Sequence, residues 1–204
     1  MKGSDRTEHF PIMPLRVGIT GNLGSGKSTV AALLRRRGYP VLDADALARE
    51  GRKALAGRIC QAFPEACRGG VLDEKALARI VFSDQEKLRT LEGLLHPYVR
   101  RRLMEEMDRQ TAPIVFLEIP LLFEVGWEKA LDRVLVVAAP LEERLMRVQI
   151  RSGLSREEAL SREARQLPQE EKLRRADYVL WNTGDLRRLE EGVEVLLRVL
   201  ESSP

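Results

Sequence analysis

The sequence predicts an α/β fold: a five-stranded parallel sheet flanked by helices and carrying two helical insertions. Three observations predict it. Short β-prone apolar runs alternate with helical stretches along the chain. Those runs lack polar alternation, as expected for strands covered on both faces. Between the first strand and the first helix lies Gly21-Asn22-Leu23-Gly24-Ser25-Gly26-Lys27-Ser28, which fits G-x-x-x-x-G-K-[ST], a phosphate-binding loop.

The elements follow in order. Leu15 to Thr20 is the first strand. After the loop, Val30, Leu33, Leu34 and Arg37 recur at helical spacing. Arg35 to Arg37 suit the helix C-terminus, and Gly38 suits its stop. Tyr39 to Leu42 is the second strand, ending in Asp43-Ala44-Asp45. A first insertion, about 46–112, is longer than a simple crossover needs and reads as helices. Ser83-x-x-Glu86 predicts a capping box opening one of them. Pro97 is expected as the first residue of the next, which continues through Val99, Leu103, Met104 and Met107. His96 then serves as an N-cap-like residue. Pro113 to Ile119 and Arg133 to Ala138 are the third and fourth strands. A second, arginine-rich insertion spans about 141–175. Arg144, Arg147 and Arg151 share one helix face, and Gly153 breaks that helix. Ser155-x-x-Glu158 caps another, bearing Arg162 and Arg165. Asp177 to Trp181 is the fifth strand, and Asp185 opens a last helix with a stripe from Leu186 to Leu200. Residues 1–14 are expected to be a disordered tail, with Met13 as a second candidate start, and 15–204 a single domain.

Composition narrows the function. The chain has 204 residues and a net charge of +3 from 34 basic and 31 acidic side chains. That mild excess suits anionic small molecules as well as nucleic acid. No interleaved basic–aromatic motif occurs, so nucleic acid is not an expected partner. Trp127, Tyr178 and Trp181 read as core or rim. No apolar run reaches transmembrane length and no secretory signal is visible, so a cytoplasmic protein without membrane contact is expected. Cys60 and Cys67 fit no zinc spacing and are expected as ordinary thiols, a disulfide being the other reading. Only one histidine, His96, lies within the domain, which gives a histidine-based metal site no support.

The loop residues carry the first chemistry. Backbone N–H groups from Asn22, Leu23, Gly24, Ser25, Gly26, Lys27, Ser28 and Thr29 form an anion nest for the phosphates of ATP. Lys27 supplies charge to the β- and γ-phosphates, and the Ser28 hydroxyl is a metal ligand for Mg²⁺. Asp43 and Asp45 follow the second strand, at the sheet edge where ligands bind. Asp45 reads as a general base for an acceptor hydroxyl or as a Mg²⁺-side ligand. Either aspartate equally reads as a helix N-cap, one role for each being compatible. The arginine face of the second insertion reads as a lid over the triphosphate, or as a solvated face paired with neighbouring glutamates. Glu118 reads as a water-mediated Mg²⁺ partner and Glu124 as an acceptor-pocket residue, or both as a strand end and turn.

In this order the pieces resemble the dephospho-coenzyme A kinase family. The resemblance runs from about Leu15 to the C-terminus. It is carried by Gly18 to Thr29, Leu42-Asp43-Ala44-Asp45, Leu94-Leu95-His96-Pro97-Tyr98-Val99-Arg100 and Ile119 to Glu124. Arg144-x-x-Arg147, Arg151 to Ser155 and Ala176 to Gly184 complete it. The resemblance implies a P-loop kinase fold and phosphorylation of the ribose 3′-hydroxyl of dephospho-CoA by ATP. The first insertion would hold the acceptor and the second would be the lid. The catalytic set would be Asp45, as the base, with Lys27, Arg144 and Arg147. Asp43, His96, Arg100, Leu122 and Glu124 would face the acceptor, and Asn182 would lie near adenine. Asn22, where the family usually has glycine, and Trp181, where aspartate is common, depart from the pattern; Asn22 tolerates a positive φ. A monomer is expected, with an oligomer left open. The alternatives are another P-loop nucleoside or nucleotide kinase and a nucleic-acid-binding ATPase. A regulatory GTPase would need an Asn-Lys-x-Asp segment that the chain lacks.

Overall fold

The computed structural model describes residues 13–202, so the expectations for residues 1–12 lie outside the described residues. β1 (Leu15–Thr20) runs into the glycine loop and α1 (Lys27–Arg36) leaves it. β2 (Val41–Asp43), α2 (Ala44–Ala54) and α3 (Ala56–Ala62) follow. β3 (Cys67–Arg68) and β4 (Val71–Leu72) pair as a small antiparallel hairpin. α4 (Glu74–Ser83) and α5 (Gln85–Asp108) bring the chain back to the sheet at β5 (Ile114–Glu118) and β6 (Arg133–Ala138). α6 (Leu141–Ser152), α7 (Arg156–Glu163) and α8 (Gln169–Arg175) form the second insertion. β7 (Tyr178–Trp181) and α9 (Leu186–Glu201) come last.

The five long strands form one parallel sheet in the order β2-β5-β1-β6-β7. The fold class is the expected one. Alternate residues of each strand face opposite layers. Ile114, Phe116, Leu135 and Val137 pack with α1 and with Leu189, Val193, Leu196 and Leu197 of α9. Val115, Leu117, Ile119, Val134 and Val136 pack with Val99, Leu103 and Met107 of α5. Burial on both faces explains the unbroken apolar runs. The first insertion adds a core of its own around Ile59, Phe63, Leu77, Val81, Leu91 and Leu95. The carboxyl ends of β1, β5 and β2 lie side by side, so the loop, Glu118 and the Asp43–Asp45 turn share one crevice.

Four expectations are corrected. Ser83 ends α4 instead of capping α5, because Asp84 takes the cap: its Oδ1 accepts from the N–H groups of Glu86 and Lys87 at 2.9 and 3.2 Å. Pro97 and His96 lie inside α5, a helix of 24 residues. The buried stripe Leu91, Leu95, Val99, Leu103 and Met107 steps by four straight through the proline, so packing outweighs one lost hydrogen bond. Arg165 lies beyond the end of α7 and reaches Phe82 of α4, whose carbonyl it contacts at 3.3 Å. Cys60 and Cys67 form a disulfide, bringing α3 against the hairpin.

The bridge closes a short loop, seven residues apart in sequence. Replacing both cysteines with serine is expected to cost about 2 kcal/mol of stability through loop entropy. A thermal unfolding midpoint unchanged in that variant would contradict the estimate.

Candidate active site

The loop's shape follows from its glycines. Gly24 and Gly26 have φ of 76° and 99°, a region that favours glycine. A Cβ on Gly24 would come within 2.3 Å of the Arg144 carbonyl, and one on Gly26 within 2.1 Å of the Asn182 side chain. The loop is thus held between α6 and the end of β7. Among the described residues no non-glycine residue has a positive φ, so Asn22 needs none of the tolerance expected of it. Gly26 precedes α1 without any side-chain cap, which leaves N–H groups of the first turn open towards an anion.

Lys27 folds over this cradle. Its Nζ donates to the carbonyls of Gly21 and Asn22 at 2.7 and 3.3 Å. Burial, with the positive charge of Lys172 nearby, lowers its pKa to about 8; Glu118 and Asp45 oppose the shift, and Arg151 adds to it. Below about pH 8 the ammonium is charged and attracts phosphate; above it the charge is lost. Nucleotide affinity is therefore expected to fall as pH rises through about 8, and bound phosphates to raise the pKa in return. Titrating ATP binding from pH 7 to 10 checks this, and a flat profile would contradict it.

The two aspartates divide their roles. Asp43 is the N-cap of α2, its Oδ1 accepting from the N–H groups of Asp45 and Ala46 at 2.9 and 3.1 Å. Asp45 is left with a free carboxylate in the first turn, on the wall of a cavity of about 180 Å³ that Ala48, His96 and Leu121 also line. Desolvation by the cleft, then the Asp43 charge, pushes its pKa above the ordinary value, against the pull of Lys27. Glu118, the last residue of β5, accepts from Ser28 Oγ at 3.4 Å. Desolvation, then Asp43, raises its pKa as well.

Ser28, Glu118 and Asp43 thus present hard oxygen donors beside the cradle. Among the described residues no three His, Cys, Asp or Glu side chains form a closed metal cage. An open set of this kind fits Mg²⁺, which keeps several waters and takes phosphate oxygens as ligands.

The lid arginines Arg144 and Arg147 pair with glutamates, Glu163 and Glu143. Arg144 is buried at 3 % exposure; its guanidinium donates to the carbonyls of Ala139 and Leu23 at 3.0 and 3.2 Å, and to Glu163 at 2.8 Å. Arg147 donates to the carbonyls of Gly24 and Asn182 at 3.3 and 2.6 Å. Both hold carbonyls of the phosphate loop; Arg144 is enclosed, whereas Arg147 stays part-exposed and also pairs with Glu143 at 3.2 Å. Arg151, one turn further along α6, is exposed and acts on Lys27 through its charge. The Asn182 side chain donates to the Ser25 carbonyl at 2.9 Å, so it too braces the loop.

On the acceptor side, His96 lines the cavity at Asp45, and Arg100 lines a neighbouring one. Leu122 is fully buried among the apolar side chains of the sheet. Glu124 turns inward, with Lys172 Nζ at 3.1 Å and the Leu167 N–H donating at 3.2 Å. Neither side chain lines the cavity at Asp45; the apolar turn after β5 draws both inside.

Sequence reasoning missed the far side of the loop. Asn22 Nδ2 donates to Glu163 and to the Leu167 carbonyl at 2.9 and 3.0 Å, and the Leu23 N–H donates to Gln166 at 2.8 Å. Lys172 is fully buried within this network. It sits in a charged run, Gln169 to Arg175, whose pattern gave no sign that one lysine points inward.

Residues 15–188 match the model of a family described as dephospho-CoA kinase. The chain belongs to that family. It is 61 % identical over 187 residues to the dephospho-CoA kinase of Thermus thermophilus, covering 92 % of each chain. It is 49 % identical over 197 residues to that of Deinococcus radiodurans, covering 94 % of this chain and 95 % of the other. A solved dephospho-CoA kinase from Campylobacter jejuni superposes with a TM-score of 0.70 at 29 % identity, over 91 % of this chain and 96 % of that one. The loop, the Asp43–Asp45 turn and both insertions fall within the matched residues. Among the described residues no helix is long and apolar enough to cross a membrane.

Proposed function

We propose that this protein transfers the γ-phosphoryl group of ATP to the ribose 3′-hydroxyl of dephospho-CoA, giving CoA and ADP. One observation supports this above the others. The free carboxylate of Asp45 lines an open cavity, and the charge of Lys27 on the phosphate loop is felt at that carboxylate. Donor-side ammonium and acceptor-side carboxylate therefore face one locus.

In this reading the loop N–H groups and Lys27 hold the β- and γ-phosphates. Ser28, with Glu118 behind it, would hold Mg²⁺, which would supply charge neutralisation to the triphosphate. Asp45 receives the proton of the 3′-hydroxyl as its oxygen bonds to the γ-phosphorus and the bond to ADP breaks. The raised pKa makes Asp45 a better proton acceptor than an ordinary carboxylate. Arg144, Arg147 and Asn182 fix the loop's position. Arg151 is the lid cation free to meet charge on the transferred group. The first insertion holds the acceptor, and α6 to α8 form the lid.

The position of the new phosphate tests the reading. After reaction with ATP and Mg²⁺, phosphorus NMR of the product is expected to show a monoester on the ribose 3′-oxygen. A product phosphorylated elsewhere would overturn the assignment.

A further inference from the structure

The lid meets the rest of the site at one short linker. Gln166 and Leu167 lie between α7 and α8, and the phosphate loop holds both. The Leu23 N–H donates to Gln166 Oε1 at 2.8 Å, and Asn22 Nδ2 to the Leu167 carbonyl at 3.0 Å. The Leu167 N–H donates elsewhere, to Glu124 Oε2 at 3.2 Å. Glu124 stands in the turn after β5, where its neighbours Leu121 and Val125 line the cavity at Asp45. One residue, Leu167, thus joins the phosphate loop to the wall of that cavity. Lys172 fixes the joint. Its Nζ lies 3.1 Å from the same Glu124 Oε2, and among the described residues it is the only cation paired with that carboxylate. Lys172 is fully buried and Glu124 largely so. Its helix, α8, is pinned to the sheet, where Gln169 Oε1 accepts from the Ala139 N–H at 3.2 Å. The charges facing Lys172 are Glu124, Glu163 and Arg144, and its own charge is felt at Lys27 on the loop.

We propose that Lys172 and Glu124 are positioning residues that couple the two substrate sites, so that occupancy of the phosphate loop or of the cavity at Asp45 tightens binding at the other. The proposal rests on the acceptor reading above. Neither side chain lines the cavity, and both act through Leu167 and Asn22. Stability alone does not call for such a pair, since apolar side chains of that volume would serve the fold as well. Its effect is mechanical. Glu124 cannot leave Lys172 without stranding two buried charges, so the turn and the lid linker move together. Asn22 and Leu23 tie that linker to the loop, so the loop follows. A ligand against the turn therefore restrains the same joint that a triphosphate on the loop restrains. Whichever binds first orders the joint, and the second binds to a joint already ordered. By linkage the gain in affinity is the same in both directions.

Calorimetric titration with adenosine 5′-(β,γ-imido)triphosphate and Mg²⁺, in the absence and presence of saturating dephospho-CoA, reads the coupling as the ratio of the two dissociation constants. Two variants cut the joint at opposite ends. Lys172→Met combined with Glu124→Gln removes both charges together, keeps an acceptor for the Leu167 N–H and strands no buried charge. Asn22→Ala removes the contact to Leu167 and keeps the loop backbone. The unsubstituted enzyme is expected to bind the analogue about tenfold more tightly with dephospho-CoA present. In both variants, shown to be folded by thermal unfolding, the ratio is expected to fall to about one, with the affinity for the analogue alone within about threefold of the original. A ratio near one in the unsubstituted enzyme, or an undiminished ratio in a folded variant, would overturn the proposal while leaving the acceptor reading intact. Equal losses of affinity with and without dephospho-CoA would do the same, since they mark a merely structural role. No binding of dephospho-CoA to the unsubstituted enzyme would overturn the acceptor reading and this one with it.

Discussion

Lys27→Ala is expected to lower kcat by about 10³-fold, the largest loss from any single substitution at the site. Phosphoryl transfer passes through a loose transition state in which positioning and electrostatics carry the catalysis. Lys27 is the ammonium that lies on the loop itself, its Nζ against the carbonyls of Gly21 and Asn22. Alanine removes that charge and leaves the loop backbone in place, since the loop is braced separately by Arg144, Arg147 and Asn182. Substituting Arg144 acts by a different route, freeing the loop and leaving the half-buried Glu163 without its cationic partner. Its signature is a loss of folding stability together with activity. Steady-state kinetics paired with thermal unfolding separates the two: Lys27→Ala should lose rate and keep its unfolding midpoint. A Lys27→Ala enzyme within tenfold of the original kcat would contradict the role assigned to it.

Asp45→Asn is expected to lower kcat by about 10²-fold with little change in ATP binding. The substitution keeps the shape of the side chain and removes the proton acceptor. Asp43, not Asp45, supplies the cap of α2, so the helix has no reason to unravel. The pH profile adds a second readout. Only the ionised carboxylate accepts a proton, and its pKa is raised by desolvation and by Asp43. The acid limb of kcat should therefore lie above the ordinary aspartate value and vanish in the asparagine variant. Wild-type kcat in Asp45→Asn would remove Asp45 from the chemistry.

The contrast between these aspartates shows what the sequence could and could not convey. The phosphate loop was legible because its chemistry is local: glycines, a lysine and a serine at fixed spacing between a strand and a helix. The parallel sheet was legible because burial on both faces leaves unbroken apolar runs. Which aspartate caps α2 depends on the backbone at Asp43, which extends at φ −111° and ψ 109°, and no spacing rule decides that. The common face of Arg144, Arg147 and Arg151 was also readable, but a helix face does not reveal what lies opposite. Two of these arginines bond carbonyls of the loop, and the third is exposed and acts on Lys27 through its charge. Pro97 misled because a proline suits a helix start, whereas the packing stripe that overrides it becomes visible only against the sheet. Lys172 and Glu124 had no signal, because their pairing joins segments 48 residues apart across the lid boundary.

The proposed roles of Lys27 and Asp45, whose charges act on each other, give the site a donor side and an acceptor side. Steady-state ADP release, with ATP and Mg²⁺ and with dephospho-CoA, nucleoside monophosphates and single-stranded DNA in separate reactions, tests that assignment directly. Rapid release with dephospho-CoA alone is the expected result. Turnover with a nucleoside monophosphate in its place, or only with DNA, would contradict it.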